Sequence, residues 1–370
     1  MPDGITQRLN LMKKNLILAV NPGSTSTKFA LYNDEDLIFE KKLIHSTTEL
    51  AAFPRVIDQL SFRYELIMKA LEDEKVNLSE IVAVVGRGGL VNPLESGVYE
   101  VNNLMKEHLI KGINGEHASN LGALIASAIA SDLKGVKAYI VDPVVVDEME
   151  PVARLSGIPL IQRKSIFHAL NQKAVARAFA RSAGREYEDL NLVIAHMGGG
   201  ISVGAHRRGR VIDVNNALNG DGPYSPERSG GLPAAQLADI CFSGRYTLRE
   251  INTMIAGKGG MVAYLGTNSF MEICGKAAAG DMMAALIADG CAYQVAKEIG
   301  SMVAVLDGEV DAIILTGGLA YQKSHVEKVT ARVKKFAPVY LFPGEDELKA
   351  LSFNGFLAVT GRIAVKQYKG

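Results

Sequence analysis

"LILAVNPGSTSTKFALYNDEDLIFEKKLI", residues 16–44, opens on five apolar residues and breaks at Asn21-Pro22-Gly23. A dense run of Ser and Thr follows, then Lys28, then strand-like sequence to Ile44. Pro-Gly and Asn-Asp are turn chemistry, so the stretch reads strand–turn–strand–turn–strand. A plain hairpin would account for the turn but has no need of its hydroxyls. Backbone N–H groups in such a turn bind phosphate oxygens, and the hydroxyls of Ser24, Thr25 and Ser26 add donors. Hairpin or phosphate cradle is decided by the rest of the chain.

The same unit occurs a second time. In "LNLVIAHMGGGISVGAHRRGRVIDVNN", residues 190–216, "LVIA" precedes a glycine turn, "ISVGAH" follows it, and "RRG" turns into "RVIDV". Gly23 falls on Gly198 at an offset of 175 (198 minus 23), Asn33-Asp34 on Arg208-Gly209, and Ile38 on Asp213. Identity between the copies is slight; the pattern of turns marks a duplication, one copy per half. A third glycine loop, "TGGLA" (316–320), follows a buried-strand pattern at 310–318, and others are expected at 81–86, 137–146 and 338–342. Helical periodicity is clearest at 282–306, whose Met residues read as core filler, and a second helix at 168–184 stops at Gly184. Two phosphate-type turns and a third glycine loop together point to nucleotide binding, although neither turn fits the GxxxxGK[ST] pattern.

Composition narrows the partners. Forty basic and forty acidic residues in 370 balance, which provides no field for nucleic acid or an anionic membrane. The three cysteines, Cys241, Cys274 and Cys291, form no CxxC pair, which argues against structural zinc or a disulfide framework. The N-terminal apolar run Leu16–Val20 is too short for a signal segment or a span, so a cytoplasmic protein with no membrane partner is expected. Residues 1–11 are patternless and are expected to be loose.

"NPGSTSTK" resembles the first phosphate loop of acetate and butyrate kinases, "HMGGGIS" their second, and "TGGLA" their adenosine loop. "VGRGGLVNP", "NGEHASNLGA", "VDPVVVDEM", "QRKSIFHALNQK" and "VNNALNGDGPYSPERSG" look like the butyrate kinase branch. The resemblance runs from about residue 14 onward. It implies an α/β fold of two actin-like (ribonuclease H-like) domains with a nucleotide cleft between them. Residues 12–147 plus 348–370 would form the acid-binding domain and 148–347 the nucleotide-binding one. The implied reaction is reversible transfer between ATP and a short-chain fatty acid such as butyrate or isobutyrate, giving acyl phosphate and ADP with Mg2+, in a homodimer or larger homo-oligomer. A carboxylate is already a nucleophile; the difficulty lies in joining two anions, which calls for cations and donors.

The resemblance also distributes roles. Arg87 in "GRGGL" would pair with the acid, and Arg228 in "PERSGG" and His168 in "SIFHAL" would meet the moving phosphoryl group. In acetate kinases the equivalent of Arg87 lies three residues ahead of the turn rather than beside the glycines. Asp142 would serve the magnesium and phosphoryl region. Asn21, Ser24, Thr25, Ser26, Lys28, His196, Gly198, Gly199, Gly200, Ser202, Gly317, Gly318 and Leu319 would line the nucleotide, with Asp213 on the same side. His117 would face the acid or cap a helix, and Val91, Pro93 and Leu94 would select its chain. "FPGEDEL" is similar to a metal-linked acidic motif of the family, which places that carboxylate at Asp346, with Glu345 and Glu347 as alternatives. The competing reading is a nucleotide-hydrolysing sensor or chaperone-like ATPase, which needs no Arg87, His168 and Arg228 set. A sugar or glycerol kinase would instead use Asp142 as a base.

Overall fold

The structure is a computed structural model that describes residues 15–370; the expected loose tail at 1–11 lies outside the described residues. Two compact units emerge. The first takes the chain up to Asn92, Ser96–Pro143 and Asp346–Gly370; the second takes Pro93–Glu95 and Val144–Glu345.

The opening stretch folds as its turns direct. Strands β1 (Leu16–Pro22), β2 (Ser26–Asn33) and β3 (Asp36–Ile44) form an antiparallel meander, and β4 (Ile81–Arg87) and β6 (Lys137–Val141) extend it in parallel. β5 (Val98–Glu100) and, from the chain's end, β12 (Val365–Gln367) complete the order β12-β5-β6-β4-β1-β2-β3. In the second unit β7 (Asn191–Met197), β8 (Ile201–Arg207) and β9 (Arg210–Val214) repeat the meander. β10 (Ala312–Gly317) and β11 (Val339–Pro343) add in parallel, giving β11-β10-β7-β8-β9. Read from the third meander strand inward, the two sheets share one order, so the duplication inferred from turn spacing is a duplication of topology. The offset of 175 holds for β1, β2 and the first turn; at the second turn Asp34-Glu35 faces Arg208-Gly209, one residue out of step.

One strand is shorter than its apolar pattern: of the expected 137–146, β6 takes Lys137–Val141 and stops where Asp142 adopts a left-handed φ of 37° and Pro143 follows. The expected helices form at Ala169–Ser182 and Met282–Val305, the first ended by Gly184 at φ 64°.

In the first unit the core packs Leu18, Val20, Phe29 and Leu31 of the meander against Ile67 and Leu71 and against Leu121, Ile125 and Ile129 of helix Asn120–Ser131. That helix lies on β4 because two glycines meet. A Cβ on Gly86 would strike the Gly122 backbone, and one on Gly122 would strike Arg87. The glycines of "GRGGL" therefore serve close packing beside Arg87, with Gly88 against Pro143 and Gly89 against Asn120. In the second unit Met282–Val305 buries Ile287, Cys291, Val295, Ile299 and Met302 against Val193, Val203 and Leu315.

That core holds a titratable liability. His325 is 2% exposed, edge-on to Phe270 at 4.9 Å, and neither ring nitrogen has a partner among the described residues. Burial, helped by Lys328, pulls its pKa to about 4, below the unfolded value of 6.5. The unfolded chain thus binds a proton between those values that the native chain refuses, so stability falls as pH drops through that window, by roughly 2 kcal/mol at pH 5. His325→Leu should flatten the difference between urea melts at pH 7.5 and pH 5 by about that amount.

Candidate active site

Both phosphate-type loops are built alike. Gly23 N–H donates to Ser26 O at 2.7 Å, and Gly198 N–H to Gly200 O at 2.9 Å. The amides of Ser24 and Thr25 in one loop, and of Gly199 and Gly200 in the other, have no described acceptor. These are unclaimed donors of the kind an anion needs.

What shapes the first loop is Arg63, which sequence reasoning missed. It is wholly buried on helix Leu60–Asp73. Nη1 donates to Gly23 O (2.8 Å), Ser26 O (3.1 Å) and Thr27 Oγ1 (3.0 Å), Nη2 to Ser24 O (3.2 Å), and Gln59 Oε1 accepts from Nε and Nη2. Turning those carbonyls toward the guanidinium fixes the loop from beneath. Burial pulls the Arg63 pKa down to about 10, so it stays charged at neutral pH. Arg63→Ala would take the donors from the Gly23 and Ser24 carbonyls and from Gln59 Oε1 at once, while Ser26 O keeps the Gly23 N–H and Thr27 Oγ1 keeps His45. A loss of about 3 kcal/mol or more in urea melts is expected, with ATP KM rising about tenfold in the folded fraction.

Around this loop the first unit gathers a polar cluster. Asn21, at the end of β1, donates through Nδ2 to Glu347 Oε2 at 2.5 Å; Arg87, ending β4, brings Nη1 to 3.2 Å from the same oxygen and 3.4 Å from Asn21 Oδ1. Glu347 is buried in the first turn of helix Glu347–Val359. Asp346 caps that helix, accepting from Lys349 N–H at 3.3 Å, while Glu345 lies in the second unit, 2.9 Å from His196. Three consecutive acids thus have three different surroundings. Lys28 is exposed and faces Asn21 across β1–β2. Asp142, 1% exposed, accepts through Oδ1 from Ser96 Oγ (2.6 Å) and Gly97 N–H (2.7 Å). His117 is exposed and its Nδ1 accepts from the Ser119 N–H at 3.2 Å, at the head of helix Asn120–Ser131. Val91 is fully buried, Pro93 is exposed, and Leu94 packs on Val146, Met149 and Phe167 of the second unit.

In the second unit a cavity of about 340 Å³ brings Gly198 and Gly199 together with Gly318 and Leu319 of the third glycine loop. Glu227, Asn268, Phe270 and Gln322 share it, with Asn268 Nδ2 3.3 Å from Glu227 Oε2; of these four only Glu227 falls in a motif, and its sequence gives it no role. Gly317 pairs with Gly344 through both backbone groups. Arg228 lies over the second loop: its Nη1 donates to Ala217 O at 2.6 Å, and a Cβ on Gly200 would land on that nitrogen. Burial pulls the Arg228 pKa below the ordinary arginine value, with Glu227 opposing. Asp213 pairs with Arg163 at 2.8 Å; burial still raises its pKa.

His168 precedes helix Ala169–Ser182 and stacks on His196, ring centroids 3.7 Å apart and nearly parallel. Its Nδ1 is 2.9 Å from the buried Ser202 hydroxyl, so that hydroxyl is engaged inside the unit rather than at the loop surface. His196 Nδ1 meets Asn171 Oδ1 at 2.7 Å.

Residues 155–348 match the Acetokinase family model. Butyrate kinase 2 and butyrate kinase 1 of Clostridium acetobutylicum are each 53% identical over 353 residues, covering 95% of this chain and 99% of theirs. Among solved structures, Porphyromonas gingivalis acetate kinase superposes with a TM-score of 0.74 at 20% identity, covering 91% of this chain and 98% of that one. A propionate kinase from Francisella tularensis gives 0.74 at 20%, covering 92% and 98%. Those two likenesses establish the shared actin-like fold. The chain belongs to the acetokinase family, and the resemblance read from its loops is borne out. Among the described residues no helix is long and apolar enough to cross a membrane.

Proposed function

We propose that this chain phosphorylates a short-chain carboxylate, butyrate or isobutyrate, at the expense of ATP, giving acyl phosphate and ADP reversibly by direct in-line transfer. The observation that carries the reading is near-full-length identity of 53% to two butyrate kinases, in a chain that keeps Arg87, His168 and Arg228 at polar clusters beside its glycine loops. Arg87 pairs with the acid in the first unit; the glycine loops and the cavity of the second unit take the nucleotide. His168 and Arg228 donate to the phosphoryl group as its charge spreads over the equatorial oxygens.

Oxygen donors of the Asn21, Asp142 and Glu347 kind suit Mg2+, which keeps several waters and takes only one or two protein carboxylates plus phosphates. We assign the metal-linked carboxylate to Glu347, since Asp346 is occupied as a helix cap. Held there, Mg2+ would supply positive charge against the phosphates. The enzyme works in the cytoplasm as a homo-oligomer. Hydroxamate trapping of acyl phosphate tests the reading with butyrate, isobutyrate, propionate, acetate and a polyol panel. The four-carbon acids should give the highest kcat/KM, and ATP consumption that is equal with no acid present would overturn it.

A further inference from the structure

Behind His168 runs a line of buried hydrogen bonds. Tyr187 OH lies 2.6 Å from His206 Nδ1, His206 Nε2 lies 2.9 Å from Gln172 Oε1, and Gln172 Nε2 donates to Ser202 Oγ at 2.9 Å and to Ser202 O at 3.0 Å. Ser202 Oγ then meets His168 Nδ1 at 2.9 Å. The fold sets the line up: Ser202 and His206 share a face of β8, Gly204 between them leaves room for the Gln172 amide, and Gln172 stands one helical turn after His168. Gln172, Ser202 and His206 are all fully buried.

One backbone atom orients every proton in the line. The Ser202 carbonyl can only accept, so the Gln172 atom facing it is the NH2 group and Oε1 must face His206. His206 Nε2 therefore carries its proton, and Nδ1 accepts from Tyr187. At the other end Ser202 Oγ receives the second Gln172 N–H and, at 3.4 Å, the His168 backbone N–H. Both lone pairs are filled, and its own proton points at His168 Nδ1. We propose that Tyr187, His206, Gln172 and Ser202 are positioning residues that hold His168 as the neutral tautomer with its proton on Nε2. Burial, with Lys173 and Arg177 adding to it, keeps the His206 pKa well below its ordinary value, in keeping with a neutral ring in that line.

The consequence for catalysis rests on the reading that His168 touches the moving phosphoryl group: the protein offers it an N–H donor that needs no protonation step. The ring hydrogen-bonds the equatorial oxygens and transfers no proton, as suits a carboxylate acceptor.

The test labels the full chain with 15N-histidine, one of seven histidines being assigned by its loss in His168→Gln. Two-bond 1H–15N spectra should show His168 in the Nε2–H pattern between pH 6.5 and 8. Gln172→Glu puts an acceptor where a donor stood, so the Ser202 hydroxyl turns to it and leaves a lone pair for Nδ1–H. The pattern should shift to Nδ1–H or imidazolium, with kcat down about 10²-fold and both KM values within about threefold. Ser202→Ala, which removes the hydroxyl without adding charge, should give mixed tautomers and an intermediate kcat; melts identify any variant that fails to fold. An Nδ1–H pattern in the wild type, or an unchanged pattern in both folded variants, overturns the relay. A shifted tautomer with unchanged kcat upholds the relay and removes His168 from the reaction.

Discussion

Arg228→Ala should lower kcat by about 10³-fold or more while the thermal midpoint drops only a few degrees. The guanidinium makes one described structural bond, to Ala217 O, so its removal strands a single carbonyl, worth about 1–3 kcal/mol. Its value in the reaction is of another order, because a half-buried cation beside a phosphate loop acts with little solvent between it and the developing charge. Arg228→Lys should recover only a small part of kcat, since one ammonium cannot reproduce the fork. Gly200→Ala reaches the same end without touching the arginine, because the new methyl group takes the place of Nη1 and pushes the guanidinium off the loop. Steady-state rates beside melts decide the matter. A collapse in stability matching the fall in rate would make Arg228 a structural residue.

The second large effect separates two neighbouring acids. Glu347→Gln should cut kcat about 10²-fold and raise the Mg2+ concentration for half-maximal rate at least tenfold, since the lost charge faces Asn21 and Arg87. Asp346→Asn should leave both within about twofold, because asparagine caps a helix as well as aspartate does. Mg2+ titrations at fixed ATP make the comparison, and the reverse result would return the metal-linked role to Asp346.

That pair also shows where reading from the chain alone stops. The hairpins were legible because a turn is local: Asn21-Pro22-Gly23 and Met197 to Gly200 announce themselves within a few residues. Likewise the long helix at Met282–Val305 shows its buried stripe in its own periodicity. Which of Glu345, Asp346 and Glu347 turns inward depends on the residue at which a helix begins, and each step rotates the side chain by about 100°. Pro143 marks the end of β6 in the sequence, whereas the left-handed turn at Asp142 shows only in the backbone. Gln172 and Tyr187 have ordinary helix and turn identities, and their partners come from other elements.

Arg63 carries a lesson for anyone who would move the first loop to another scaffold. The octapeptide "NPGSTSTK" looks portable, yet its conformation is written about forty residues away, in a guanidinium that grips it from below. A transplant lacking that grip would bring the hydroxyls and lose the curvature. In a saturation scan scored by folding stability, exposed Ser24 and Thr25 should accept most changes, whereas an apparently unrelated helix position should accept almost none.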